Sequence, residues 1–238
     1  MTGRLACQQQ GQLEGAKCRY TTGRLYWVGM GSPVRDRIVE AALDRFQTLG
    51  FNASGVQEIV DKAGIPKGSF YNYFKAKELL AVEVLKAYVD GSRREMLSDK
   101  RIAPVARIRA HFEFLASRHA RFGYRKGCLI GNIAAETSDE MPIVRKAITR
   151  ALANWTEHLA GAIRDGQADG SIEAGLDAEE IARFLINSWE GAVLRMKVAK
   201  GKQPLDDFFS LAFRLLSHSD TSRNVSSARR KRAPRRQP

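Results

Sequence analysis

Phe51–Leu80, FNASGVQEIVDKAGIPKGSFYNYFKAKELL, decides how this chain folds. Val56, Ile59, Val60 and Ala63 recur at helical spacing and give one apolar face. Ser54 is the expected N-cap, with Gln57 three residues on completing a capping box. Gly64 stands where a helix end needs a residue tolerant of positive φ. Pro66 suits the first turn of a second helix, because it has no N–H to leave unused there. Phe70 and Phe74, four apart, share a face of that second helix and should pack back on the first. The stretch therefore reads as a helix-turn-helix.

The remaining side chains of the second helix carry the chemistry. From Lys62 to Lys77 there are four lysines (62, 67, 75, 77) and no acid. Asn72 offers a bidentate amide suited to adenine, and Lys67 donors suited to guanine O6 and N7. Ser69, Tyr71, Tyr73 and Lys77 suit phosphate oxygens, which position a protein without reading sequence. Gly68 lets the helix N-terminus approach the DNA backbone closely. The alternative, an ordinary αα-hairpin with a solvated lysine face, explains the aromatic–polar interleaving less well.

RDRIVEAALDRFQTLGFNASGVQEIV followed by AGIPKGSFYNYFKAKELL closely resembles the N-terminal DNA-binding domain of TetR-family transcriptional regulators, from about Arg35 to Leu85. The resemblance implies that Lys67, Gly68, Ser69, Tyr71, Asn72, Tyr73 and Lys77 contact double-stranded DNA. Asn72 departs from the His or Tyr of many members, which leaves the operator sequence open.

Around this core the chain is helical in pattern. Pro33 to Leu49 is an amphipathic first helix ended by Gly50. Lys77 to about Leu97 reads as a longer helix linking the DNA-binding part to the rest. Helical patterns continue over Pro104–Phe122, Cys128–Thr137, Pro142–Ala168, Asp177–Lys200 and Leu205–Leu216, with no persuasive alternating strand. The expected fold class is all-α: an N-terminal three-helix helix-turn-helix domain (32–80), then a helical ligand-binding and dimerisation domain (81–218). Residues 1–31 read as a disordered or mis-assigned extension, with Met30 as the expected natural start. Residues 219–238, polar and proline-bearing, cannot bury enough surface to offset ordering and read as a disordered basic tail.

The net charge of +13 sits largely outside that body. Residues 219–238 hold seven basic residues against Asp220, and residues 1–32 hold four against Glu14, leaving about +4 for 33–218. The basic tail adds non-specific phosphate attraction or merely solubility. No apolar run of 18 or more residues exists, so no membrane-spanning helix is expected, nor is a secretory signal. Cysteines 7, 18 and 128 form no metal or disulfide pattern, as suits a reducing cytoplasm, the expected location. Histidines 111, 119, 158 and 218 show no metal-ligand spacing, and no hydrolase or Walker motif occurs, so no metal, cofactor or enzyme activity is expected. A cysteine-dependent enzyme would need His111 or His119 brought to Cys128.

In the second domain, Trp155, Trp189, Phe112, Phe114 and Met196 are the residues to line a ligand cavity or, more simply, to form core. Cys128, in RKGCLIGN, starts a helix behind Arg125 and Lys126, a setting that lowers a thiol's pKa; the alternative is a small buried hydrophobe. GCLIGNIAAETSDEMPIVRKAI and WEGAVLRMKVAKGKQPLDDF resemble the TetR branch that includes N-ethylmaleimide-responsive and acrylate-responsive repressors. That resemblance implies a sensor cysteine at Cys128. It also implies a small-molecule or electrophile inducer, a palindromic operator, and a homodimer formed through helices at about 178–199 and 204–217.

Overall fold

A computed structural model describes residues 17–21, 24–28, 32–137 and 139–216. Residues 219–238, the expected tail, lie outside it. Two short strands come first, β1 (Lys17–Thr21) and β2 (Arg24–Val28), paired antiparallel with Thr21 opposite Arg24 and Lys17 opposite Val28. This hairpin corrects the expectation that no strand occurs: RLYWV is rich in residues that favour pleated backbone. From residue 32 onward the described residues form only helices and turns, and the all-α class holds.

Helix α1 (Pro33–Leu49) begins with the Ser32 hydroxyl accepting from Arg35 N–H (3.3 Å) and buries Ile38, Ala41, Ala42 and Phe46. Helix α2 (Val56–Ala63) starts one residue later than expected. Its N-cap is Gly55, whose N–H is accepted by Glu58 (3.3 Å), while the Ser54 hydroxyl turns inward and donates to Gly50 C=O (2.6 Å). Ser54 is fully buried, and a local bond to the carbonyl four residues back has taken the hydroxyl that capping would have used. Gly64 closes α2 in the left-handed region (φ 65°), as the sequence predicts. Pro66 is the N-cap of α3 (Lys67–Tyr73) rather than its first residue.

Phe70 is fully buried and Phe74 nearly so, their rings 5.8 Å apart, in a core shared with Phe46, Phe51, Ile59 and Val60. Helix α4 (Lys77–Asp90) ends earlier than its expected Leu97. Gly91 caps it, Arg93 takes a left-handed φ of 54°, and a 3₁₀ turn (Arg94–Ser98) follows. The break lets the Arg94 guanidinium turn inward and donate to Ala151 C=O and Asn154 Oδ1, both at 2.9 Å.

Beyond it lie α5 (Pro104–Arg121), α6 (Leu129–Glu136), α7 (Pro142–Asp169), α8 (Ala178–Ala199) and α9 (Gln203–Leu216). The 28-residue α7 is the spine, packing on α4, α5, α6 and α8. Phe112, Trp189 and Phe208 meet edge-on or tilted with ring centroids 4.9–5.2 Å apart, and Trp155 Nε1–H donates to His111 Nε2 at 3.0 Å. Phe112→Ala, which removes the ring at the centre of this cluster, is expected to lower unfolding free energy by about 3–5 kcal/mol in urea titrations. Leu176→Ala, at a largely exposed position, should stay within about 0.5 kcal/mol of the parent.

Candidate nucleic-acid interface and the Cys128 cavity

The seven sequence-predicted contact residues divide in the structure. Phe70 and Phe74 clamp α3 into the core, and helical geometry then turns Lys67, Gly68, Tyr71 and Asn72 to solvent. Ser69 is half-buried, and Tyr73 packs partly against the core. Lys77 goes elsewhere. Its ammonium donates to the carbonyls of Phe51 (3.1 Å) and Ser54 (3.3 Å) and lies 4.2 Å from the Phe51 ring centroid. Burial holds its pKa below the ordinary lysine range.

The lysines of the motif differ in the same way. Lys62 pairs with Asp44, and Lys75 donates to Tyr71 C=O (3.3 Å). Among the described residues Lys67 makes no ion pair or hydrogen bond, so its charge is the one of the four directed wholly outward. No Cβ placed on Gly68 would meet any atom within 4 Å, which leaves open space over the start of α3.

Cys128 is the N-cap of α6, as the sequence implies, but its electrostatics are the reverse of those expected. The thiol is 5 % exposed and sits against the Glu190 carboxyl, with the Tyr88 hydroxyl donating to Sγ at 3.6 Å. Burial, reinforced by the neighbouring carboxyl, pushes its pKa well above the ordinary thiol range. The cations expected to lower it point away: Lys126 pairs with Asp44 and lies over Phe122, and Arg125 is exposed. Spacing in sequence does not say which way a lysine beside a helix start will turn.

Cys128 lines a small cavity of about 20 Å³ with Tyr88, Arg94, Arg118, Trp155 and Trp189. Of the five cavity candidates, only the two tryptophans reach it; Phe112 and Met196 are fully buried core, and Phe114 is half-buried beneath Arg93. His119 also lines the cavity, but its Nδ1–H donates to Lys126 C=O (3.0 Å). Burial lowers the His119 pKa to about 4, and that of His111 likewise. Sequence reading missed Tyr88, Arg94, Glu190 and Glu136. Glu190 reaches Gly131, where an added side chain would collide with its carboxylate. Glu136 accepts from the N–H groups of Phe51 and Asn52, 85 and 84 residues away, a separation that carries no local signal. Among the described residues no group of three or more His, Cys, Asp or Glu is placed to hold a metal, and no helix is long and apolar enough to cross a membrane.

A buried-faced recognition helix with a free polar face, set on a three-helix unit and joined to a larger helical body, defines a helix-turn-helix transcriptional regulator. Residues 38–84 match bacterial regulatory proteins of the tetR family, and residues 104–211 match the tetracyclin repressor-like C-terminal domain. The chain belongs to the TetR family. It is 36 % identical over 199 residues to the HTH-type transcriptional repressor DhaR of Mycobacterium sp. (strain GP1), covering 82 % of this chain and 98 % of DhaR. It is 33 % identical to the transcriptional regulator AcuR of Cereibacter sphaeroides over 72 % of this chain and 80 % of AcuR. The reduced form of Escherichia coli NemR superposes with a TM-score of 0.71 at 25 % identity, over 79 % of this chain and 98 % of NemR.

The two buried histidines give a pH dependence of known sign. Each has a folded pKa near 4, below its unfolded value of about 6.5, so the unfolded chain binds more protons between those limits. Their stability contribution is complete above about pH 6.5 and is lost as pH falls towards 4, by up to about 1.4 kcal/mol per pH unit for each histidine. Urea midpoints measured from pH 7 to 5 should fall accordingly, and His119→Gln should flatten the slope.

Proposed function

We propose that this protein is a cytoplasmic repressor that binds a palindromic operator as a homodimer and leaves it when a small molecule or electrophile reaches Cys128. The observation that carries the reading is the outward face of α3, where Lys67, Tyr71 and Asn72 stand free while Phe70 and Phe74 fix the helix from behind. In this reading Lys67 and Asn72 contact base edges, and Ser69, Tyr71 and Tyr73 contact phosphates. Gly68 keeps the helix start clear for the DNA backbone. Lys77, which holds the turn before α2, acts on DNA through the position of that turn.

Dimerisation is assigned to α8 and α9. Phe184, Leu194 and Val198 on the first and Leu211 and Leu215 on the second stand exposed, with Val198 at 78 % and Leu215 at 72 %. Five large apolar side chains bare on two neighbouring helices mark an interaction surface. Joining two copies there would set two α3 helices to read half-sites about one DNA turn apart. Repression is assigned by likeness to DhaR and NemR, both named as repressors.

Two outcomes test this reading. On an operator selected from random duplex DNA, Lys67→Ala and Asn72→Ala should each cost roughly 1–3 kcal/mol and relax preference at one base pair per half-site. Tyr71→Phe should weaken all sequences alike. Retention of full affinity and selectivity by both Lys67→Ala and Asn72→Ala in anisotropy titrations would refute the assignment of α3.

For Cys128, the thiol must first lose its proton, and the adjacent Glu190 carboxyl is placed to receive it; the sulfur then adds to the β-carbon of the electrophile and a proton returns to the α-carbon. Because the resting thiol is buried and protonated, N-ethylmaleimide should modify it more slowly than it modifies an exposed thiol. Modification followed by mass spectrometry should release the operator, and Cys128→Ser should stay bound under the same treatment. Release of that variant would remove Cys128 from the mechanism.

A further inference from the structure

The segment 126–136 is tied to the helix-turn-helix unit at both ends. At its end, the Glu136 carboxylate accepts the N–H groups of Phe51 (3.1 Å) and Asn52 (2.6 Å) in the turn between α1 and α2. Gly50, just before, has a φ of 94°, and a Cβ there would collide with the same carboxylate. At its start, Lys126 pairs with Asp44 of α1, whose carboxylate also holds Lys62 of α2. Those two lysines draw the Asp44 pKa down to about 2. Between the ties lies Cys128, lining the cavity and capping α6.

The geometry matters because the 50–54 turn, besides the buried Phe51 ring and the bonds that Ser54 makes to Gly50 and Phe51, is held by charged side chains from outside it. Its Phe51 and Asn52 N–H groups are taken by Glu136, and its Phe51 and Ser54 carbonyls by Lys77 at the start of α4. α6 is only two turns long, about 12 Å, so its start beside Cys128 and Glu136 at its end belong to one short helix. Displacement of its start by a group entering beside Cys128 therefore carries Glu136 with it, and the turn that sets α2 and α3 follows.

We propose that Glu136 is a positioning residue for operator binding, through which the state of the Cys128 cavity reaches α3. Lys126 is the second tie of the same device. The assignment differs from a link through α4 alone, because Glu136 reaches the turn directly from the regulatory side. Only the electrophile arm of its test rests on Cys128 being the sensor.

The test uses the full chain and a duplex operator selected from random DNA. Coupling between two sites is reciprocal, so operator binding must stabilise α6. In wild type, amide exchange of peptides spanning 126–137 should slow about fivefold or more on saturation with operator. In Glu136→Gln that slowing should vanish, and operator affinity should drop about tenfold with an unchanged salt slope, since no phosphate contact is lost. An intact helical circular dichroism spectrum checks folding; if Glu136→Gln fails it, Lys126→Met is measured in its place and should lose the same protection. Absence of DNA-induced protection in wild type, or full protection in the folded variant, overturns the proposal. In the second arm, the ratio of operator affinities with and without N-ethylmaleimide should fall towards one in Glu136→Gln, and an unchanged ratio also overturns it. A wild type indifferent to N-ethylmaleimide refutes the sensor reading of Cys128, and the exchange arm still decides the role of Glu136.

Discussion

The outward polar face of α3 depends on the burial of Phe70. A seven-residue helix in water gains too few hydrogen bonds to offset the cost of nucleating it, so α3 cannot hold itself. It exists because Phe70 is fully buried and Phe74 follows it into the core of α1 and α2. With one side committed in this way, helical geometry leaves Lys67, Tyr71 and Asn72 no choice but to face outward. The outward polar face is thus a by-product of the packing face, and its orientation is fixed by two rings rather than by the polar residues themselves.

The cavity beside Cys128 obeys a different constraint. In a buried setting an ionised thiol must be compensated, and here the Glu190 carboxyl stands beside it while Lys126 is paired with Asp44. Desolvation outweighs the helix N-terminus, and the thiol is held protonated. Arg94 in the same lining illustrates the balance from the other side: burial lowers its pKa to about 10, and its hydrogen bonds go to Ala151 C=O and the Asn154 amide oxygen rather than to an acid. A thiol held in this way is quiet at rest.

The fold is legible in the sequence wherever a face repeats over several turns. α1, α7, α8 and the core of the helix-turn-helix fall within a residue or two of their expected bounds, because apolar periodicity and the Gly50, Gly64 and Asp177 caps are local signals. Ser54 looks like a cap, yet its hydroxyl bonds Gly50 C=O, and the Lys77 ammonium is turned to the Phe51 and Ser54 carbonyls. Polar groups near a turn are claimed by whatever backbone the tertiary fold brings close, and that is not written locally. α4 stops at Asp90, where Gly91 caps it, and Arg94 beyond the break then bonds to α7. Glu136 lay beyond reach altogether, since a residue matters there only through a partner some 85 positions away.

That 50–54 turn is one of the places where the two halves of the chain meet. A turn between two helices usually satisfies its own backbone groups or leaves them to water. Here the Phe51 and Asn52 N–H groups are held by a carboxylate from the larger helical body and the Phe51 and Ser54 carbonyls by an ammonium from α4, beside the turn's own Ser54 N–H bond to Phe51 C=O. Charged partners give hydrogen bonds about twice as strong as neutral ones, but only while their geometry holds. A turn fastened by side chains of other elements cannot stay indifferent to where those elements stand. Had Ser54 capped α2 in the ordinary way, the helix-turn-helix would be more self-sufficient and less answerable to the rest of the protein.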